Sequence, residues 1–243
     1  MVSIVWRSIP TVLTVEELLD KAFSKAKKAG DAVVDKDRVY RTRKQMTRMV
    51  GSAGDSLSST LLEWVRRWPS LDQMSEFDVA MVEAAVGCDD YRQSLGACQW
   101  AAQKCLEISQ QNAKKLRRMV NLPPMHEARR EAYGRISSIM GRIGGNLDFL
   151  REARDTLRRL PMIDSMEPCL VVAGAPNVGK SALIASMSSG KPEIAAYPFT
   201  TRQLHVGHFE HRRMKYQLVD TPGLLDRPME ERNHIEMQAI AAL

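Results

Sequence analysis

The chain has 243 residues, 44% hydrophobic and 26% charged, with a net charge of +6. That length admits one or two domains with a sizeable core, and the composition is ordinary for a soluble globular protein. No stretch approaches the roughly 18 consecutive apolar residues of a membrane span. The N-terminus MVSIVWRSIP lacks a basic region followed by an apolar one, so no secretory signal is read and a soluble intracellular protein is expected.

The charge is unevenly placed. Residues 166–243 carry 8 basic and 8 acidic side chains, so the whole excess lies before them. It concentrates in Lys36, Arg38, Arg41, Arg43, Lys44 and Arg48, in Lys114, Lys115, Arg117 and Arg118, and in Arg129 and Arg130. Such segments attract phosphate backbones, although a solvated helix face looks the same by charge alone.

Residues 1–165 read as helices. Thr14-Val15-Glu16-Glu17 is a capping box, followed by Leu18, Leu19, Ala22, Phe23 and Ala26 at helical spacing. A basic helix is expected over 36–50, ended by Gly51 and Gly54. Shorter helices follow at about 56–67 and 75–86, with Pro69 between them. A long helical pattern covers 89–119. Pro123 and Pro124 interrupt it, and a second runs from Glu127 to Leu160, weakened by Gly141, Gly144 and Gly145. Cys88, Cys98, Cys105 and Cys169 form no CxxC pair and read as small buried thiols.

Pro161 stops the helices, and 162–168 reads as a linker. Cys169-Leu170-Val171-Val172-Ala173 is then a continuous apolar run, the pattern of a strand buried on both faces of a parallel sheet. A domain boundary is therefore expected near residue 165. A basic helical domain would occupy 1–165 and an α/β domain 166–243, giving an α plus α/β chain with a mixed, mostly parallel sheet.

Directly after that strand stands Gly174-Ala175-Pro176-Asn177-Val178-Gly179-Lys180-Ser181, which is GxxxxGKS. Glycines let successive N–H groups curl onto phosphate oxygens, and the following helix adds its N-terminal partial charge. Lys180 is placed to reach the β- and γ-phosphates, and the Ser181 hydroxyl to ligate Mg²⁺. The strand before the loop and the apolar helix after it (Ala182, Leu183, Ile184, Met187) are the context this motif requires. Tyr197-Pro198-Phe199-Thr200-Thr201 follows, then strand-like segments at 204–209 and 216–219, the latter ending in Asp220-Thr221-Pro222-Gly223. A threonine of the first group can hold Mg²⁺ and the γ-phosphate only while that phosphate exists, which makes it a switch. Asp220 is placed to hold Mg²⁺ through water, and the Gly223 N–H to bond the γ-phosphate. This order of motifs points to a GTPase rather than to a P-loop ATPase or kinase.

The segment YPFTTR at 197–202 resembles the Obg-related GTPases, and DTPGLLDRPMEERNHIEMQAI at 220–240 is similar to the nucleolar GTP-binding protein (Nog) family. Trp6, Ile9-Pro10-Thr11, Leu18-Leu19-Asp20, Leu160-Pro161 and Ile163-Asp164 resemble the same family, so the likeness touches essentially the whole chain. The resemblance implies a GTPase acting in assembly of the large ribosomal subunit, with an N-terminal helical bundle that contacts ribosomal RNA. It implies GTP and GDP as ligands, with Mg²⁺ on Ser181, Thr201 and Asp220. The nucleotide-binding set becomes Gly174, Asn177, Val178, Gly179, Lys180, Ser181, Ala182, Thr201, Asp220 and Gly223. Lys180, Thr201 and Gly223 are the catalytic candidates, with Thr201 chosen over Thr200 as the switch. Asn177 resembles a P-loop asparagine that ligates K⁺ in cation-dependent relatives.

Leu224 stands where many GTPases carry a water-orienting glutamine, so slow intrinsic hydrolysis is expected until a partner completes the site. The family reads guanine with an Asn-Lys-x-Asp segment, which this sequence does not contain; a fragment of a longer protein is therefore expected. The competing reading is an RNA-binding assembly factor whose nucleotide site is vestigial. A bacterial or archaeal cell would make the protein cytoplasmic and a eukaryotic one nucleolar. The lack of a long basic tail favours the former.

Overall fold

The structure is a computed structural model that describes residues 6–164, 167–172, 174, 178–196, 198 and 203–220. Its contacts divide the chain into two compact units. One joins residues 10–68 with 92–152; the other joins residues 1–9, 69–91 and 153–243. No helix among the described residues is long and apolar enough to cross a membrane.

The first unit is helical. Helix α1 (Val15–Asp31) begins where the capping box predicts: Thr14 Oγ1 accepts from the Glu17 N–H at 3.2 Å, and Glu17 Oε2 accepts from the Thr14 N–H at 2.8 Å. Those bonds to the charged form hold the Glu17 carboxyl below its ordinary value. Helix α2 (Arg38–Arg67) starts on an Asp37 cap and runs for 30 residues. The expected stop at Gly51 and Gly54 is thus corrected. These glycines lie inside α2, and Gly54 serves packing. A Cβ there would fall 2.3 Å from the Ser109 side chain and 3.0 Å from the Cys105 carbonyl oxygen. The missing side chain lets α2 approach the helix carrying Ser109, a gain that offsets the intrinsic cost of glycine in a helix.

That partner is α4 (Cys88–Arg117); α3 (Glu76–Val86), which precedes it in sequence, belongs to the other unit. The second long pattern is two helices rather than one, α5 (Leu122–Arg142) and α6 (Gly144–Leu157), parted at Ile143. Pro123 and Pro124 lie in the first turn of α5, where missing N–H groups cost nothing. Met46, Met49, Val50, Leu116, Met125, Ala128 and Ala132 close one core of this unit. Phe23 stacks on Tyr133 with ring centroids 4.2 Å apart. Cys98 and Cys105 are fully buried, and burial pushes both thiols up to about 12.

The second unit carries the sheet. Strands β1 (Cys169–Val172), β2 (Glu193–Ala196), β3 (Gln203–His211) and β4 (Met214–Asp220) lie in the order β1-β4-β3-β2, with helix α7 (Lys180–Met187) between β1 and β2 in sequence. The β1–β4 pairing is parallel, and β4–β3 and β3–β2 are antiparallel. The sheet is mixed as expected. Among the described residues two pairings are antiparallel and one is parallel, and a two-residue turn joins the antiparallel β3 and β4. Strand β1 is not buried on both faces: Leu170 is 45% and Val171 38% exposed, as befits a strand paired on one side only among the described residues. Helix α7 rests on β3 through Ile184, which is fully buried; a Cβ on Gly207 would lie 2.9 Å from the Ile184 side chain.

The β3–β4 turn is Arg212 and Arg213, with φ of 51° and 65°. Two consecutive left-handed residues are what a two-residue hairpin requires, and Asn-Gly is the usual choice. Arginine there costs about 1–3 kcal/mol per residue.

Candidate functional site

The parallel register aligns Val172 with Asp220. The end of β1, which leads into the phosphate-loop sequence, therefore lies beside the end of β4. Gly179 has φ of +93°, a left-handed conformation that glycine adopts without strain, and it caps α7. The turn it makes puts Lys180 and Ser181 in the first turn of α7, facing those strand ends.

Two contacts follow. Ser181 Oγ donates to Asp220 Oδ2 at 2.6 Å, and Lys180 Nζ donates to the Gly174 carbonyl oxygen at 2.9 Å, spanning the loop from end to end. Asp220 is buried, yet its Oδ1 has no hydrogen-bond partner among the described residues. A buried, unpartnered carboxylate oxygen costs about 1–3 kcal/mol or more. Beside a hydroxyl oxygen it forms a hard-oxygen donor pair of the kind Mg²⁺ takes, so these residues fit that ion.

Gly174, Val178, Gly179, Lys180, Ser181 and Ala182 are thus gathered with Asp220 around one loop. Asn177, Thr201, Gly223 and Leu224 lie outside the described residues.

Sequence reading missed Gln217. This side chain is fully buried in β4, three residues from Asp220, and its hydrogen bonds go to the linker. Its Oε1 accepts from the Asp164 N–H at 2.8 Å, and its Nε2 donates to the Asp164 carbonyl at 2.7 Å and the Glu167 carbonyl at 3.3 Å. The Gln217 backbone N–H adds a bond to the Pro168 carbonyl at 2.9 Å. A lone glutamine in a strand pattern was the only signal.

The helical unit carries a separate feature. Arg43 and Lys44 lie over the Tyr40 ring, 5.1 and 5.6 Å from its centroid. With Thr47, Arg48 and Arg117 they line a cleft of about 490 Å³ that no carboxylate lines. Two basic clusters far apart in sequence thereby meet, which no spacing rule indicates.

Comparison with known proteins agrees across the chain. Residues 6–164 match the family described as "NOG1 N-terminal helical domain", and residues 169–243 match "50S ribosome-binding GTPase". An uncharacterized protein of Methanocaldococcus jannaschii is 34% identical over 98% of this chain and 67% of its own length. Nucleolar GTP-binding protein 1 of Encephalitozoon cuniculi is 34% identical over 93% of this chain and 43% of its own. A nucleolar GTP-binding protein 1 of Plasmodium falciparum, known from a crystal structure, is 46% identical over 34% of this chain and 40% of its own, with a TM-score of 0.30. The chain spans about two-fifths of the length of these named relatives and two-thirds of the archaeal one.

Proposed function

The chain belongs to the NOG1 family of GTP-binding proteins, and on that premise we propose that it hydrolyses GTP as a switch in assembly of the large ribosomal subunit. In this reading residues 1–165 dock on ribosomal RNA and residues 166–243 begin the GTPase domain. The observation that carries the switch is the Ser181–Asp220 contact, with Asp220 Oδ1 left buried and unpartnered.

Each residue then has a task. The N–H groups from Val178 to Ala182, at the start of α7, bond phosphate oxygens, and Gly174 lets the loop turn back. Lys180 exchanges the Gly174 carbonyl for the β- and γ-phosphates. Ser181 and Asp220 would hold Mg²⁺, which when bound would supply positive charge against the phosphate oxygens. Thr201 joins that set through its hydroxyl and holds the γ-phosphate through its N–H, and Gly223 adds a second N–H. Loss of the γ-phosphate frees both, which is the switch. Asn177 holds K⁺, so hydrolysis is expected to run faster in K⁺ than in Na⁺; equal rates would remove that role. Leu224 can neither donate nor accept, so intrinsic turnover is slow.

RNA docking is supported by the carboxylate-free cleft. Its guanidinium and ammonium groups suit phosphate, and Tyr40 offers a face to a base. The protein would act wherever large subunits are assembled, in the cytoplasm of a prokaryote or the nucleolus of a eukaryote.

The test has two arms. Fluorescent GTP should bind in Mg²⁺ and be displaced by unlabelled GTP, and Lys180→Ala should weaken that binding strongly. Crosslinking in cells should recover large-subunit ribosomal RNA. Phosphate release from ATP but not from GTP would make the protein an ATPase. Recovery of RNA by a protein that binds no nucleotide would leave an assembly factor with a vestigial site.

A further inference from the structure

We propose that the Arg212–Arg213 turn is an RNA phosphate-binding tip on the sheet-bearing unit, separate from the cleft of the helical unit. The class of partner rests on the RNA reading above; the site does not.

The argument begins with backbone geometry. Both residues hold positive φ, a conformation that Asn-Gly would adopt without strain, and the hairpin keeps two arginines there. Packing does not explain them, since every residue from 210 to 215 is exposed. Ion pairing does not explain them either: among the described residues neither guanidinium has a carboxylate partner. The nearby acid is Glu210, which lies across the ladder from Lys215. That pairing leaves Arg212, Arg213 and His211 as the outward chemistry of the turn.

The hairpin is also rigid behind its tip. Seven residue pairs register β3 against β4, and Phe209 stacks on Tyr216 with centroids 5.0 Å apart. A short turn on such a base fixes the backbone of two adjacent, permanently charged arginines. Arginine forks match phosphate oxygens in pairs. Residues 166–243 have no net charge, so this tip is a local basic point rather than part of a general field. A repeating polyanion fits adjacent forks better than an isolated carboxylate does, which favours RNA over an acidic protein.

The experiment replaces the two arginines by the residues the turn geometry prefers, R212N together with R213G. This variant should fold at least as well as the parent, so a melting temperature equal to or above the parent's is expected. Binding of purified large-subunit ribosomal RNA is then titrated against salt for the parent, for this variant and for the helical-unit variant K44E with R48E. Loss of two phosphate contacts should flatten the slope of log affinity against log salt by about 1.4 to 1.8. It should weaken binding about tenfold near physiological salt. An unchanged slope in the Asn-Gly variant overturns the tip, whatever the helical variant does. A flattened slope there with an unaffected K44E/R48E variant supports the tip and removes the helical cleft from the interface. A parent protein that binds no ribosomal RNA overturns both.

Discussion

The two units use buried polarity differently. In the helical unit the buried side chains of Ser109 and Asn112 return their hydrogen bonds to their own helix, Ser109 Oγ to the Leu106 carbonyl and Asn112 Nδ2 to the Ile108 carbonyl. In the sheet-bearing unit the buried side chains of Gln217 and Asp220 reach out of their strand, one to the linker and one to the phosphate-loop helix. One of their oxygens, Asp220 Oδ1, reaches nothing described. The helical unit keeps these two bonds within one helix, and its own buried deficit, Arg129 Nε, is a cationic donor that no metal ion can satisfy. The sheet-bearing unit leaves an unmet demand at the strand tip, which a cation can meet. Activity-bearing sites are where native proteins keep such deficits.

The contrast can be strained most severely at Gly54. Gly54→Val should destabilise the helical unit by about 3 kcal/mol, because its Cβ meets the Ser109 side chain and the Cys105 carbonyl inside a closed helix contact. Nucleotide affinity at 25 °C should hold while denaturant melts shift. Full stability in this variant would mean the two helices separate easily.

Gln217→Leu comes next. It leaves the Asp164 N–H and carbonyl without their side-chain bonds, an expected loss of about 2 kcal/mol. Amide exchange should quicken over 162–168. Unchanged exchange there would show that the Gln217 backbone bond to Pro168 suffices to hold the linker.

Asp220→Asn should move stability and function in opposite directions. The neutral amide keeps an oxygen for Ser181 and relieves a buried charge, so the nucleotide-free protein should gain about 1 kcal/mol while Mg²⁺-dependent GTP binding falls. A destabilised variant would mean the carboxylate is already satisfied, and the unit's deficit would vanish from the comparison.

The smallest effect lies at the α1 cap, where Thr14→Ala should cost about 1 kcal/mol at neutral pH. The Glu17 carboxyl titrates lower in the folded protein than its ordinary value of 4.5, chiefly through its bonds to Thr14. A depressed acid contributes stability that is complete above the unfolded value and is lost as pH falls through the folded one. The difference between parent and T14A should therefore shrink below pH 4.5. A difference constant with pH would assign the cap to the threonine alone.

Much of this protein is local in sequence and was legible there. The capping box of Thr14 and Glu17, the helical periodicity, the β-branched run of β1 and the hairpin strands rest on neighbours within a few residues. GxxxxGKS and the strand ending in Asp220 pointed to the loop where Lys180 meets Gly174 and Ser181 meets Asp220, because each motif carries its own backbone geometry. What the tertiary structure decided is the set of long-range choices. Gly51 and Gly54 read as helix breakers, yet they continue α2 because contact with Ser109 outweighs their propensity. The apolar run of β1 read as buried on both faces, whereas among the described residues β1 pairs with β4 alone and Leu170 and Val171 stay partly exposed. The meeting of Arg117 with Arg43, and of Gln217 with Asp164, joins residues 74 and 53 positions apart, closures settled by packing in three dimensions. Sequence fixes what a segment prefers; only the folded chain decides which preferences prevail, because burial and close approach are properties of pairs.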